Sequence, residues 1–172
     1  MNDGTIPIKP DLLAVVGATA TGKTAMGVEL AQALDGEIVN CDSRLFYRGM
    51  DIATAKPTPE EMKSVPHHLL DFIDPGDEYS LASYVKQART LIDEITQREK
   101  LPILVGGTGQ YVWALVEGWE VPEIEPDFQL RAELERRLGK DGVEPLANEL
   151  TQIAPEIAAN TDLLNPRRVI RA

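Results

Sequence analysis

The sequence predicts an α/β protein, a parallel sheet flanked by helices with a small helical subdomain inserted toward its end. Three observations predict it. The apolar run Leu12-Leu13-Ala14-Val15-Val16 leads directly into Gly17-Ala18-Thr19-Ala20-Thr21-Gly22-Lys23-Thr24, which fits the phosphate-loop pattern G-x-x-x-x-G-K-[ST] at every fixed position. Residues 25–34 read as the helix that follows, and residues 36–41 as a second strand, so strand, helix and strand form a unit of parallel type. A long amphipathic helix then precedes a third apolar strand at residues 101–105. Together these describe a P-loop NTPase-like core.

The first element carries the clearest chemistry. The amides of Gly17, Ala18, Thr19, Ala20, Thr21 and Gly22 and the N-terminus of the helix converge on one anion, and Lys23 adds positive charge. Gly17 and Gly22 let the backbone come close, while the Thr24 hydroxyl is placed to reach a magnesium ion that bridges phosphate oxygens. Asp42 follows at the C-terminal end of the second strand. In open α/β sheets the substrate crevice lies just beyond such ends, so Asp42 either faces the phosphate site or caps a local turn.

Residues 44–77 are irregular, punctuated by Pro57, Pro59, Pro66 and Pro75, and too long for a simple connection. Such loops serve as substrate loops or lids, so Arg44, Tyr47, Arg48, Asp51, Thr54 and Lys56 line or cover the site, unless the segment is a solvated loop with scattered charges. His67-His68 invites a metal reading. Adjacent histidines point different ways, however, and no cysteine or third histidine supports them.

From Ser80, Leu81, Tyr84, Val85, Ala88, Leu91, Ile92 and Ile95 repeat at helical spacing and form a core-facing stripe. The third strand ends in Gly106-Gly107-Thr108-Gly109, a backbone bare enough for close approach to a ligand or another element, before a helix carrying Tyr111, Trp113, Ala114 and Leu115. That strand has no Asp or Glu at its end. The missing Walker-B acid weakens an ATPase reading.

At Gly118 the composition changes to an acidic, proline-marked connector of Glu120, Pro122, Glu123, Glu125, Pro126 and Asp127. The expected organisation is a core at 1–117, a helical insertion at 118–164 and the start of a further core helix at 165–172. Within the insertion, Asp127 caps a helix with Leu130, Leu134 and Leu138 on one face, stopping near Gly139 and Gly142. A second helix carries Leu146, Leu150 and Ile153 before Pro155. Asn165 and Pro166 open a last helix that the chain leaves before two full turns, so a longer polypeptide is expected.

The bulk properties narrow the setting. With 172 residues, 43% of them hydrophobic, the chain can bury a sizeable core. A net charge of −11 opposes a protein that coats nucleic acid through bulk electrostatics, although it leaves room for a local basic patch. The single cysteine, Cys41, forms no internal disulfide and reads as a reduced, unreactive residue. No secretory segment opens the chain and no run approaches a membrane span, so a cytoplasmic location and no membrane partner are expected.

Residue by residue and in order, the chain resembles the tRNA dimethylallyltransferases, also called tRNA isopentenyltransferases. The resemblance rests on GATATGKT at 17 to 24, DSRLFYRGMDIATAKP at 42 to 57, HHLLD at 67 to 71, LVGGTGQY at 104 to 111 and the closing RRVIRA. Of these, the second string is far more specific than the phosphate loop, which many kinases share.

The resemblance implies transfer of a dimethylallyl group from dimethylallyl diphosphate to the N6 amine of an adenosine beside the tRNA anticodon, with magnesium; a monomer is expected. It implies that the loop at 17 to 24 holds the diphosphate leaving group, that Thr19 meets the bridging oxygen, and that Asp42 takes the proton from the adenine amine. It further implies that Asp42, Ser43, Arg44, Leu45, Thr108, Arg168 and Arg171 contact the tRNA. Many members carry Gln at the position of Leu45 and most carry Gly at that of Ala53. Members also continue well past Ala172 with more basic surface, which answers the charge objection. Three other readings stay open: a small P-loop kinase, an isopentenyltransferase acting on free adenine nucleotides, and a non-catalytic nucleotide-binding fragment.

Overall fold

The structure is a computed structural model that describes residues 10–51, 54, 56–121, 123 and 127–172. The expectations on Ala53, Pro122, Glu125 and Pro126 lie outside the described residues. Two compact units divide between residues 123 and 124, later than the boundary expected after residue 117.

The first unit holds a parallel sheet of β1 (Leu13–Val16), β2 (Gly36–Asn40), β3 (His67–His68) and β4 (Leu101–Gly106) in the order β1-β4-β2-β3. The strand expected third in the chain is therefore β4, because His67 and His68 form a two-residue edge strand before it. Pairing runs Val16 to Gly106 and Asn40 to Val105, so β1 and β2 end on either side of β4.

Side chains alternate across the sheet with period two. Val15, Ile38, Leu101, Ile103 and Val105 pack with Val28 and Ala31 of α1 (Lys23–Leu34) on one face. Val39, Cys41 and Leu104 pack on the other with Tyr84, Val85, Ala88 and Ile95 of α3 (Leu81–Gln97) and Tyr111, Val112 and Ala114 of α4 (Gly109–Val116). Helices thus cover both faces, the layering of a P-loop NTPase-like fold.

Ser80 caps α3 as expected, its side chain accepting from Ser83 N at 3.0 Å. An aromatic layer fixes the backbone just beyond β2. Phe46 stacks on Tyr84 and Tyr111 with ring centroids 5.7 Å away in each case, and meets Phe72 and Tyr79 edge-on. Each such pair adds roughly 0.5–1.5 kcal/mol beyond area burial. This layer anchors the 3-10 turn Ser43–Phe46, which carries Asp42 at its head.

The long stretch after that turn is more ordered than its irregular sequence implies. Thr58 opens a one-turn α2 (Pro59–Met62) with a full capping box, its side chain accepting from Glu61 N and the Glu61 carboxylate accepting from Thr58 N. β3 is held to the sheet by His68, whose Nε2 meets Glu37 Oε2 at 2.6 Å. The same carboxylate accepts from Arg98 Nη2 at 2.9 Å. Although burial opposes it, these two partners hold the Glu37 carboxyl below its usual range.

The second unit contains α5 (Phe128–Asp141), α6 (Glu144–Ile153), α7 (Pro155–Ala159) and α8 (Pro166–Arg171). Its core joins Leu146, Ala147, Leu150, Ala158 and Val169, with Leu134 and Leu138 packed against it. Asp127 caps α5 by accepting from Leu130 N at 2.9 Å, and α5 runs through Gly139 before Gly142 ends it. α6 ends at Ile153, before Pro155 as expected, and Pro155 itself opens the further short helix α7, since proline suits a first helical position. α8 begins at its Asn165 cap and packs through Val169 on the helices of this unit.

Candidate functional site

The phosphate loop leaves β1 at Val16 and delivers the chain to α1 at Lys23. Gly22 makes the join in the left-handed region, with φ 81°, a conformation that a side chain would strain. Within the loop, Thr21 Oγ1 donates to Ala18 O at 2.8 Å and Lys23 Nζ donates to the same carbonyl. Lys23 is therefore folded over the loop that it is expected to assist. Thr19, Ala20, Lys23 and Thr24 all line one cavity of about 90 Å³.

The opposite wall comes from the end of β2. Asn40 and Asp42 line the same cavity, so the structure brings together the loop and the acid that sequence placed there separately. Asp42 also does what the simpler reading expected, because its Oδ1 accepts from Arg44 N at 3.1 Å and starts the 3-10 turn. A Cβ on Gly107 would stand 3.6 Å from Asp42 Oδ2 and 3.5 Å from Gly17 O, which places Gly107 between loop and acid.

The end of β4 joins these walls at close quarters. A Cβ on Gly106 would fall 2.4 Å from Cys41 C and 2.6 Å from Asp42 N, a distance that only glycine permits. This is the close approach that the bare stretch 106–109 implied. Beyond it, Thr108 N donates to Cys41 O at 3.1 Å, Ser43 N donates to Thr108 Oγ1 at 3.1 Å, and Thr108 Oγ1 donates to Ser43 Oγ at 3.4 Å. Ser43 and Thr108 thus hold each other, and Arg44 is exposed on the same turn.

Apolar side chains close the remaining sides. Leu45, Ile38, Val105, Pro57 and Leu70 line the cavity beside Thr54, whose hydroxyl donates to Met50 O. Of the loop residues expected near the site, Thr54 is there, whereas Lys56 and Arg48 are committed to ties within their own segment. Lys56 Nζ donates to Tyr47 O at 2.9 Å and to Asp51 Oδ1 at 2.7 Å, and also to Asp71. Burial opposes the Lys56 charge, but the two carboxylates outweigh it and raise its pKa. Arg48 pairs with Asp74 at 3.1 Å.

His67 also borders the cavity. Its Nδ1 faces Val65 O at 2.8 Å, and since a carbonyl only accepts, Nδ1 carries the proton and Nε2 is a bare lone pair. Nε2 is buried with no partner among the described residues. Burial, only partly opposed by the Val65 bond, lowers the His67 pKa below 6.5. The two histidines therefore face different neighbours, as their adjacency predicted. Cys41 is fully buried, and burial followed by the Asp42 charge pushes its thiol up to about 12, which leaves it an inert core residue.

Arg168 and Arg171 belong to the second unit, where both are exposed on α8. A larger surface groove of about 570 Å³ lies along α3 near Ser83, Lys86 and Glu123, but brings together only an exposed Lys86–Glu123 pair at 3.1 Å. No described helix is long and apolar enough to cross a membrane.

Two residues escaped the sequence reading. Asn40 reads as an ordinary strand residue, and its burial at 3% exposure follows only from the sheet order. His67 carried a signal in its pairing with His68, but one that pointed to metal and away from a wall residue.

Comparison with known proteins agrees with this geometry. The model of the family described as IPP transferase matches residues 45–172. A tRNA dimethylallyltransferase of Herpetosiphon aurantiacus is 55% identical over 164 residues, covering 95% of this chain and 52% of that protein. One from Roseiflexus castenholzii is 52% identical over 161 residues, covering 94% of this chain and 53% of its own length. The crystal structure of the full-length tRNA isopentenylpyrophosphate transferase of Bacillus halodurans superposes with a TM-score of 0.65 at 48% identity, over 95% of this chain and 54% of that one. A eukaryotic dimethylallyltransferase described as acting on tRNA gives a TM-score of 0.76 at 27% identity, over 93% and 40%. The chain spans about half the length of the curated relatives it matches. With a phosphate loop and Asp42 on one cavity, and a family model matching most of its length, the chain belongs to the IPP transferase family.

Proposed function

We propose that this chain is the donor-binding and acid-base part of a tRNA dimethylallyltransferase, which moves a dimethylallyl group from its diphosphate to the N6 amine of an adenosine beside the anticodon. The observation that carries this reading is the shared cavity. It brings the phosphate loop and a carboxylate into one lining, together with apolar Leu45, Ile38, Pro57, Leu70 and Val105.

In the proposed reaction the N6 nitrogen forms a bond to the allylic carbon as that carbon's bond to the diphosphate oxygen breaks. The electron pair of the broken bond leaves with diphosphate. The loop amides from Gly17 to Gly22 and the Lys23 ammonium stabilise that growing negative charge, so Lys23 exchanges its internal partner Ala18 O for a phosphate oxygen. Thr19 is assigned to the bridging oxygen. Asp42 receives the amine proton through Oδ2, leaving Oδ1 on Arg44 N. An adenine amine is a very weak acid, so the proton moves only as the new bond forms and positioning supplies much of the rate.

Magnesium fits the donor set, because one hydroxyl from Thr24 together with diphosphate oxygens and water suits an ion that rarely takes an all-protein cage. When bound it would supply further charge against the leaving diphosphate. The target base must leave its stack to enter such a cavity. Asp42 and Leu45 on the cavity lining, Ser43, Arg44 and Thr108 at the neighbouring strand ends, and Arg168 and Arg171 on α8 are the proposed tRNA contacts, the arginines through phosphates. A monomeric enzyme of the cytoplasm completes the reading.

The test uses the full-length polypeptide with an anticodon stem-loop and dimethylallyl diphosphate. Asp42→Asn keeps the cap on Arg44 N and is expected to preserve diphosphate binding while lowering transfer by roughly 10² to 10⁴ fold. Near-normal turnover removes Asp42 as the base. Markedly tighter binding of ATP than of dimethylallyl diphosphate would replace the transferase reading with that of a kinase.

A further inference from the structure

Asn40 holds the main chain of Asp42 at both of its polar groups. Asp42 N donates to Asn40 Oδ1 at 3.0 Å, and Asn40 Nδ2 donates to Asp42 O at 3.1 Å. The second proton of the amide goes to Leu69 O at 2.9 Å, in a buried bond. The Asn40 main-chain carbonyl is gripped in turn by Tyr84 OH at 3.3 Å. A side chain with 3% exposure thus spends all its donors and one acceptor on the two segments that form the cavity wall.

Both segments depart from regular strand geometry. Leu69 has φ 56° and Asp71 has φ 53°, both in the left-handed region, and Leu70 between them lines the cavity. Asp42 sits where β2 has ended and the 3-10 turn has just begun; its carbonyl also accepts from Leu45 N at 3.0 Å, and the Asn40 amide adds to that turn bond and supplies the partner of Asp42 N. The amide of Asn40 offers a donor and an acceptor in one rigid plane, which lets it bind both main-chain groups of a residue two positions on. Aspartate could not donate, and leucine could do neither.

We propose that Asn40 is the positioning residue of the site, setting the Asp42 carboxylate toward the acceptor amine and the Leu70 wall toward the apolar part of the donor. This rests on the reading of Asp42 as the base. Asn40 touches no reacting atom and acts through Asp42.

A double-mutant cycle in the full-length enzyme tests it, with prenyl transfer to an anticodon stem-loop and binding of inorganic diphosphate as readouts. Asn40→Ala is expected to lower kcat by on the order of 10–100 fold, the cost of a displacement near 1 Å, with diphosphate affinity held within about twofold. Asn40→Ser, which retains an acceptor and one donor, recovers part of the loss and also serves if the alanine variant fails to fold. In an Asp42→Asn background, removing Asn40 costs less than about threefold, because its lever is already gone.

Losses that multiply in the double mutant overturn the proposal, as does diphosphate affinity falling in step with kcat. Near-normal kcat for both Asn40 variants beside a crippled Asp42→Asn overturns the positioning role alone. Normal turnover by Asp42→Asn by itself overturns the base reading and this role with it.

Discussion

Replacing Gly106 by alanine is the sharpest test of how the site is built. The new Cβ would lie 2.4 Å from Cys41 C, 2.6 Å from Cys41 O and 2.6 Å from Asp42 N, all backbone atoms with no rotamer to turn away. Ordinary contact begins at 3.4 Å, so β2 and β4 must part by about 1 Å at their C-terminal ends. Two hydrogen bonds cross that seam, Cys41 N to Val105 O at 2.9 Å and Thr108 N to Cys41 O at 3.1 Å. A 1 Å opening takes both past hydrogen-bond range, at about 1 kcal/mol each, and the overpacking itself costs about 1–3 kcal/mol.

Gly106→Ala should therefore lose about 3–5 kcal/mol in urea unfolding at an unchanged slope. Because Asp42 N is among the atoms pushed, transfer by the folded fraction should fall by on the order of 10² fold. The phosphate loop is on the far side of β4 from this clash, so inorganic diphosphate should bind nearly as before. A loss under about 1 kcal/mol with kcat within about twofold would refute the claim that glycine at this strand end holds loop and acid in register.

His67 and Lys56 yield two further expectations. Burial holds His67 neutral at pH values where the unfolded chain takes up a proton, so its contribution is whole above the ordinary value of 6.5 and falls as pH drops toward the lowered folded value. His67→Asn keeps a donor for Val65 O, and its melting temperature should drop less than that of wild type between about pH 7.5 and pH 5.5; an equal drop would place the proton uptake elsewhere. Lys56→Met removes three donated bonds from a side chain 4% exposed, and should cost about 1–3 kcal/mol in urea unfolding. A cost below about 0.5 kcal/mol would mean that Asp51 and Asp71, both well exposed, are screened by water.

Where signals were local, the sequence carried them. The glycines and Lys23 of the phosphate loop, the helical repeat from Leu81 to Ile95 and the caps at Ser80, Asp127 and Asn165 all appear where residue chemistry placed them. The capping box at Thr58 and Glu61 was equally local and legible, but it was lost in a stretch read as irregular because of its prolines. β3 offered no period to read, having only two residues.

Other features depend on the order of strands, which no local pattern encodes. Thr108 meets Ser43 across 65 positions and Asn40 meets Leu69 across 29. That Asn40 is buried, that His67 borders the phosphate loop's cavity and that Lys56 turns inward all follow from pairings made after the chain has collapsed.

The placing of β4 between β1 and β2 makes the sheet a ruler. The phosphate loop springs from one neighbour of β4 and Asp42 from the other, so the strands that carry them lie two inter-strand steps apart, about 9.6 Å, a spacing that backbone hydrogen bonding keeps nearly constant among proteins. On the proposed reading, that strand spacing frames the site before any substrate arrives, with the phosphate loop and Asp42 sharing a cavity of about 90 Å³. On that reading the pitch of a β-sheet gauges the room left for the donor, since β4 is hydrogen-bonded to β1 on one side and to β2 on the other.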